Sequence, residues 1–96
     1  MKTISSVSFK KIESKNSLNI IDLRPSHDFK KRNIPSSINI KESVLLKNPS
    51  LFLSKDKVYY LICTKGYSSM KVSTTLNNLG YNTISVSGGF NEYIKS

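Results

Sequence analysis

Apolar residues along the chain occur in short continuous runs and in stretches with helical spacing. Four apolar runs predict strands: residues 2–5 (KTIS), 18–24 (LNIIDLR), 57–63 (KVYYLIC) and 81–87 (YNTISVS). Residues 34–40 (IPSSINI) return to an extended pattern after Pro35. The run at 57–63 has the strongest strand signal, because it is aromatic and β-branched, with polar residues before it and a glycine soon after.

The segment that follows this run has helical spacing. Val72, Leu76 and Leu79 lie at i, i+4 and i+7, which predicts a helix over residues 68–79. Gly80 follows at the position of a left-handed C-terminal cap. Three shorter helices are also predicted. The first covers residues 8–15, with Phe9 and Ile12 facing inward; the second follows Pro25 and Ser26, and the third covers about residues 90–95. Strands that alternate with helices indicate a parallel sheet with ligands beyond the carboxyl ends of its strands.

The middle of the chain, up to about residue 54, has no clear periodicity. It contains Leu45, Leu46, Leu51 and Phe52. Since large apolar side chains are usually buried in a domain of this size, we expect all four to pack against the rest of the molecule.

The length and composition indicate one compact domain, to which we assign residues 1–96. Hydrophobic residues make up 38% of the sequence and are spread along it, as in a folded globule. Because no stretch fits a membrane span or a signal peptide, we expect a cytoplasmic protein that is not associated with a membrane. A single cysteine forms no internal disulfide, which agrees with a reducing compartment.

The chain is strongly basic. Fifteen Lys and Arg residues against six Asp and Glu residues give a formal net charge of +9, which favours encounters with anions. The basic residues are scattered, and only residues 30–32 (KKR) resemble a cluster, so we interpret most of them as solvated faces. No recognition helix or aromatic-basic stripe accompanies the charge, and nucleic acid is therefore not an expected partner.

The only cysteine, Cys63, ends the strongest predicted strand, in residues 59–70 (YYLICTKGYSSM). The loop after it contains Gly66 and leads to a helix whose first N–H groups have no intrahelical partner. These N–H groups, the helix dipole and Lys65 make an anion cradle that favours a thiolate. Cys63 is therefore a candidate nucleophile, and the alternative is an inert cysteine buried at a strand end.

Other candidate sites have weaker signals. His27 lies far from the cysteine in sequence, and we expect it at the surface rather than as a base. One Cys and one His do not suffice for the usual zinc site, and no metal or cofactor is expected. The glycine pair at 88–89 lacks the P-loop spacing and predicts a tight turn. Asp22 and Arg24 are catalytic candidates, but a structural ion pair of Arg24 with Asp28, at i, i+4, is preferred.

Two segments resemble the rhodanese family. Residues 19–40 (NIIDLRPSHDFKKRNIPSSINI) are similar to its strand ending in Asp-x-Arg, its acidic-aromatic pair and its turn into an extended Ile-Asn-Ile. Residues 59–93 (YYLICTKGYSSMKVSTTLNNLGYNTISVSGGFNEY) are similar to its second half, with the cysteine loop, Leu-Gly-Tyr and Gly-Gly-aromatic motifs in order. The resemblance implies an α/β, rhodanese-like three-layer domain whose five-stranded, mainly parallel sheet has helices on both faces.

The same resemblance implies thiosulfate sulfurtransferase activity, with Cys63 as the sulfur-accepting nucleophile. The loop that holds the substrate's anionic end then comprises Thr64, Lys65, Gly66, Tyr67 and Ser68. Sulfur would pass from thiosulfate or a similar small anionic donor, through a Cys63 persulfide, to cyanide or an external thiol. A sulfur-relay protein is a further expected partner. One alternative is a rhodanese-like sulfur-carrier or protein-binding module with little turnover, and a phosphatase on the same fold is another.

The loop from Cys63 to Ser68 also bears on substrate preference. Its length of six residues is associated in this family with sulfur transfer, whereas the related phosphatases carry one residue more. Ser68 stands where many family members have arginine, so Lys65 and the loop amides are left as anion contacts. Asn33 and Ser36–Ser37 also depart from the family pattern, in a structural turn.

Overall fold

The computed structural model describes residues 2–96, which form one sheet covered by helices. In chain order the elements are β1 (Thr3–Ser5), α1 (Ser6–Glu13), β2 (Asn19–Asp22), α2 (Ser26–Lys31), β3 (Ser37–Asn39), α3 (Glu42–Lys47), α4 (Pro49–Phe52), β4 (Val58–Ile62), α5 (Tyr67–Asn78), β5 (Asn82–Ser87) and α6 (Gly89–Tyr93). Each of the predicted strands is present. Among the described residues no helix has the length and apolarity to cross a membrane.

The sheet has the strand order β1-β5-β4-β2-β3, and all of its pairings are parallel. β4 is the central strand, with Tyr60 opposite Ile20 of β2 on one side and Ile84 of β5 on the other. Parallel strands need crossover connections, and the helices provide them. The prediction of an α/β fold with a five-stranded parallel sheet is thus confirmed. Because the strands run in one direction, Cys63, directly after β4, lies near the middle of the sheet's carboxyl edge.

Each face of the sheet has its own apolar core. Successive residues of β4, Leu61 and Ile62, are both fully buried and belong to different cores, as expected for a strand covered on both sides. Helices α3 and α5 contribute to the first core Leu45, Val72 and Leu76. Helices α1 and α6 contribute to the second core Phe9 and Phe90. The two cores fix both helices next to the cysteine, α5 and α6, against the sheet.

The middle section forms two short helices, α3 and α4, that the sequence did not predict. Leu45 is fully buried and Leu46 packs against the same core, but Leu51 is 75% exposed and Phe52 39%. The expectation that all four pack against the rest of the molecule is therefore wrong for Leu51 and holds only in part for Phe52. Helix α4 is a single turn, and Leu53 directly after it takes the buried position instead.

Helix α5 lies where the sequence predicted it, but its last apolar residue is outside the core. Val72 and Leu76 are buried, whereas Leu79 is 50% exposed. The helix ends one residue before Leu79, and Gly80 then reverses the chain with a φ of +97°. Tyr81 takes the buried place next to the helix end, where its N–H donates to the carbonyl of Leu76 at 3.0 Å.

Candidate active site

Cys63 lies in a loop that curls round its own side chain. Its sulfur accepts hydrogen bonds from two backbone N–H groups, that of Gly66 at 3.1 Å and that of Ser69 at 3.2 Å. Gly66 precedes α5, and Ser69 lies in its first turn, so the helix N-terminus points at the sulfur. Cys63 is only 5% exposed. The arrangement offers a sulfur anion two fixed donors at the positive end of a helix dipole.

Only glycine fits at position 66. Gly66 has a φ of +102°, in the left-handed region that other residues rarely adopt. A Cβ on Gly66 would lie 2.9 Å from the backbone nitrogen of Gly88. The turn between β5 and α6 therefore passes directly behind the cysteine loop.

The start of α6, directly after this turn, forms hydrogen bonds to the outer side of the cysteine loop. The N–H of Phe90 donates to the carbonyl of Cys63 at 2.8 Å, and the N–H of Asn91 donates to that of Thr64 at 3.1 Å. In a trans peptide the C=O and N–H groups point in opposite directions, so these two bonds direct the following N–H groups to the other side of the loop. Gly89 allows the close approach, because a Cβ there would lie 2.5 Å from the Cys63 carbonyl oxygen. The glycine pair is a turn, as predicted, and it additionally orients the loop.

A cavity of about 250 Å³ opens at Cys63. Its lining residues are Leu23, Arg24, Pro25, Cys63, Thr64, Lys65, Tyr67 and Ser68. The structure thus brings together all the loop residues singled out in the sequence, with Gly66 contacting the sulfur from within the loop. Tyr67 is 72% exposed, and Thr64, Lys65 and Ser68 are exposed as well.

Arg24 forms its ion pair with Asp22, which corrects the expected pairing with Asp28. The Nη2 atom of Arg24 lies 2.8 Å from Oδ2 of Asp22, and its Nε donates to both carboxylate oxygens at 3.0 and 3.1 Å. The i, i+4 geometry requires both residues on one helix, and Arg24 precedes the start of α2. Asp28 instead lies 3.6 Å from His27.

Arg24 also connects separate elements at the wall of the cavity. Its Nη2 donates to the carbonyl of Arg32 at 2.7 Å, and its guanidinium lies 3.7 Å from the centroid of the Phe90 ring. The side chain is buried and joins the end of β2 to the end of α2 and to α6. Since Asp22 neutralises Arg24, Lys65 is the unpaired cation nearest to the cysteine in the lining.

Sequence reasoning missed a row of buried hydroxyl groups between α5 and β5. Ser69 Oγ lies 2.7 Å from Ser85 Oγ, and Ser73 Oγ lies 2.6 Å from Thr83 Oγ1. Ser69 Oγ also donates to the carbonyl of Gly66 at 3.2 Å. These bonds fix the first turn of α5, and with it the N–H that contacts the sulfur. The available signal was the i, i+4 spacing of Ser69 and Ser73 beside the buried face of a helix.

No side chain in the described part of the chain donates to the Cys63 sulfur, whose hydrogen bonds come from the backbone. His27 is exposed on α2, as predicted. The structure therefore favours stabilisation of a sulfur anion by the loop and the helix over activation by a paired base.

Comparison with known proteins shows which family the chain matches. A family model described as a rhodanese-like domain matches residues 7–96. The chain is 34% identical over 90 residues to "Putative sulfurtransferase YtwF" of Bacillus subtilis (strain 168), covering 93% of this chain and 86% of that protein. It is 30% identical over 82 residues to "Putative sulfur carrier protein YrkF" of the same organism, covering 84% of this chain and 44% of that protein. The crystal structure of a rhodanese-related protein from Thermoplasma volcanium superposes with a TM-score of 0.87 at 27% identity, covering 99% of this chain and 92% of that one.

Proposed function

Since the chain belongs to the rhodanese-like domain family, we propose that it is a sulfurtransferase that carries sulfane sulfur as a persulfide on Cys63. The observation that carries this proposal is the pair of backbone N–H groups, from Gly66 and Ser69, on a sulfur at the cavity. A sulfur anion held by fixed donors is a prepared nucleophile and a good leaving group.

In the first step the Cys63 thiolate attacks the outer sulfur of thiosulfate or a similar small anionic donor. A bond forms between Sγ and that sulfur, the S–S bond of thiosulfate breaks, and sulfite leaves with the electron pair. Lys65 and the loop N–H groups attract the anionic end of the donor. Thr64, Tyr67 and Ser68 complete the walls that hold it. The six-residue loop favours sulfur chemistry over phosphate hydrolysis.

In the second step an external thiolate or cyanide attacks the outer sulfur of the persulfide. The new bond to that sulfur forms, the bond to Sγ breaks, and the Cys63 thiolate is restored. The chain has a single cysteine, so a resolving thiol must come from another molecule. A reducing compartment such as the cytoplasm keeps both thiols available.

A sulfur carrier with little turnover is the second candidate. The similarity to "Putative sulfur carrier protein YrkF" supports a carrier, and the 5% exposure of Cys63 limits the access of acceptors to its sulfur. The carrier and the enzyme share the first step and differ in the rate of the second.

Mass spectrometry after incubation with thiosulfate tests the shared step. We expect the wild type to gain the mass of one sulfur atom and to release sulfite in equal amount, and the Cys63→Ser variant to gain none. Thiocyanate formation from added cyanide then distinguishes an enzyme from a carrier. Full turnover by Cys63→Ser would refute the persulfide mechanism.

A further inference from the structure

Two more cavities adjoin the Cys63 cavity along the carboxyl edge of the sheet. One, of about 300 Å³, has its lining mainly on α2 and around α6, and the other, of about 430 Å³, extends from the end of β2 to α3. Arg24 lines all three cavities. We call these three adjacent cavities, which share lining residues, the carboxyl-edge groove. Cys63 lies in its central part.

The groove carries an excess of positive charge. The exposed cations in its lining are Lys31, Arg32, Lys41 and Lys65. Within residues 2–96 none of them forms an ion pair with a carboxylate. Two carboxylates, Asp28 and Glu42, share the lining, and the charge of Arg24 is met by Asp22. The unpaired cations therefore outnumber the carboxylates and flank the cysteine on both sides.

The groove is larger than a small inorganic donor requires. The central cavity alone, about 250 Å³, equals the liquid volume of about eight water molecules, and two larger cavities extend it. Tyr67, 72% exposed, and Pro25 add apolar surface at the opening, and exposed aromatic side chains are enriched in protein interfaces. These dimensions suit a polypeptide that crosses the edge.

The depth of the sulfur limits how an acceptor reaches it. Cys63 is 5% exposed and is enclosed by its own loop. An extended segment brings a thiol to such a sulfur more readily than a flat protein surface does. A nucleic acid would meet the charge of the groove but ordinarily brings no thiol, so the observations favour a polypeptide.

We propose that the carboxyl-edge groove is the docking surface for an acidic polypeptide that presents the acceptor thiol on an extended segment. The proposal rests on the persulfide function of Cys63. The acceptor thiolate attacks the outer persulfide sulfur, one S–S bond forms, the bond to Sγ breaks, and the electron pair remains on Cys63. The unpaired cations accelerate the encounter and hold the acidic segment while the sulfur passes.

A pair of synthetic peptides tests the proposal. The first has one cysteine flanked by glutamates, and the second has glutamine at each glutamate position. We mix each with persulfide-loaded protein and follow the mass of the peptide. At low salt we expect the acidic peptide to accept sulfur about tenfold faster or more, and this advantage to shrink towards unity at about 1 M salt.

Charge reversal locates the effect. The variant Lys31→Glu/Lys41→Glu removes most of the acidic peptide's advantage, with rates normalised to the persulfide content of each protein. The matched control is Lys15→Glu/Lys57→Glu, which makes the same change of net charge at two exposed lysines before β2 and β4, at the opposite edge of the sheet. It keeps the wild-type preference. Thermal unfolding shows whether each variant is folded. If the variant Lys31→Glu/Lys41→Glu is unfolded, the salt dependence of the wild type still tests the docking surface.

Binding without chemistry separates this inference from the proposed function. Fluorescence anisotropy of a labelled acidic peptide that has serine in place of cysteine reports docking alone. If the protein forms no persulfide but binds this peptide, and Lys31→Glu/Lys41→Glu weakens the binding, the docking surface is supported and the proposed sulfur chemistry is refuted. Equal rates for both peptides at low salt, from a fully loaded protein, would overturn the docking surface. Tighter competition by a single-stranded RNA than by the acidic peptide would also overturn it, in favour of a nucleic acid.

Discussion

Ser69 contributes to the site in two separate ways. Its backbone N–H donates to the Cys63 sulfur, while its hydroxyl donates to the carbonyl of Gly66. Because a serine hydroxyl has one proton, the hydroxyl of Ser85 is then the donor in the Ser69–Ser85 contact at 2.7 Å. Both side chains are fully buried, so the Ser85 hydroxyl depends on Ser69 for its side-chain hydrogen bond, whereas the Ser69 hydroxyl also has the carbonyl of Gly66.

The contact between the two hydroxyl groups predicts non-additive effects of substitution. We expect Ser69→Ala to lower the free energy of unfolding by about 1–3 kcal/mol, since it leaves the buried Ser85 hydroxyl unpaired. Ser85→Ala should cost less, because the Ser69 hydroxyl keeps its hydrogen bond to the carbonyl of Gly66. The double variant should cost less than the sum, because no polar partner then remains without its hydrogen bond. Urea unfolding of the four proteins measures the coupling.

Thr74→Ala is the control on the same helix. The Thr74 hydroxyl donates to a carbonyl at an exposed position, so its loss should change the stability by no more than about 0.5 kcal/mol. Strictly additive costs in the Ser69 and Ser85 variants would mean that the hydroxyl pair does not fix the first turn of α5.

At the scale of elements, the contact between α6 and the cysteine loop depends on Gly89. It has a φ of +64°, and a Cβ would lie 2.5 Å from the Cys63 carbonyl oxygen and 2.6 Å from that of Thr64. We expect Gly89→Ala to push α6 away from the loop and break the bonds that orient it. Persulfide formation with thiosulfate should fall by about tenfold or more, since electrostatic positioning by single donors is worth at least that factor.

Gly80→Ala is the matched control for backbone strain. Gly80 also has a positive φ, of +97°, but the nearest atom to its Cβ would be Lys55 Nζ at 3.5 Å, an ordinary contact. It should cost about 1–2 kcal/mol of stability from the left-handed conformation alone and leave persulfide formation intact. Equal losses of persulfide formation in both variants would assign the effect to strain rather than to the loop.

The elements with strong local patterns are the ones that the sequence predicts. The strand before Cys63 is a continuous aromatic and β-branched run and the helix after it has helical spacing, so both can be predicted without a structure. The Arg24–Asp22 pair and the Ser69–Ser85 contact are not visible in this way. The first depends on where α2 begins, and the second joins residues 16 positions apart on different elements. The start of a helix therefore decides the first contact and tertiary packing decides the second, and apolar periodicity records neither.

The short helices α3 and α4 could not be predicted from the sequence for a different reason. Each has one or two turns, too few for a helical period to emerge from the apolar spacing. The partition between buried Leu45 and exposed Leu51 then depends on which side of each turn meets the sheet. The composition gives the number of apolar residues but does not show which of them are buried and which are exposed.

At the scale of the whole molecule, the two ends of the chain are joined beside the second core. The Tyr93 hydroxyl on α6 donates to Oε1 of Glu13 on α1 at 2.6 Å. Lys10 Nζ donates to the carbonyls of Tyr93 and Ser96 at 3.3 and 2.8 Å. Since α6 also forms hydrogen bonds to the cysteine loop, these contacts between α1 and α6 help to keep the loop in position.

The contacts between α1 and α6 also predict a pH dependence of stability at alkaline pH. Burial, and then the hydrogen bond to Glu13 and its charge, raise the pKa of Tyr93 to about 12 from an ordinary value of 10.0. A raised pKa in the folded state means that the stabilisation is complete below pH 10 and is lost as the pH rises towards 12, because the unfolded chain ionises first. Two pKa units correspond to about 2.7 kcal/mol, and partial exposure of Tyr93 reduces this to about 1 kcal/mol.

Comparison of the wild type with Tyr93→Phe isolates this effect, because the lysines titrate alike in both proteins. At pH 7 we expect the variant to be less stable by about 1 kcal/mol, from loss of the hydrogen bond. Between pH 10 and 12 the difference in unfolding free energy should narrow or change sign, since phenylalanine has no proton to lose. Urea unfolding across this range measures it, with Tyr67→Phe as the control for removal of an exposed phenol. A difference that stays constant up to pH 12 would mean that the Tyr93 phenol titrates alike in the folded and unfolded chain, and that the contact with Glu13 does not hold the ends together.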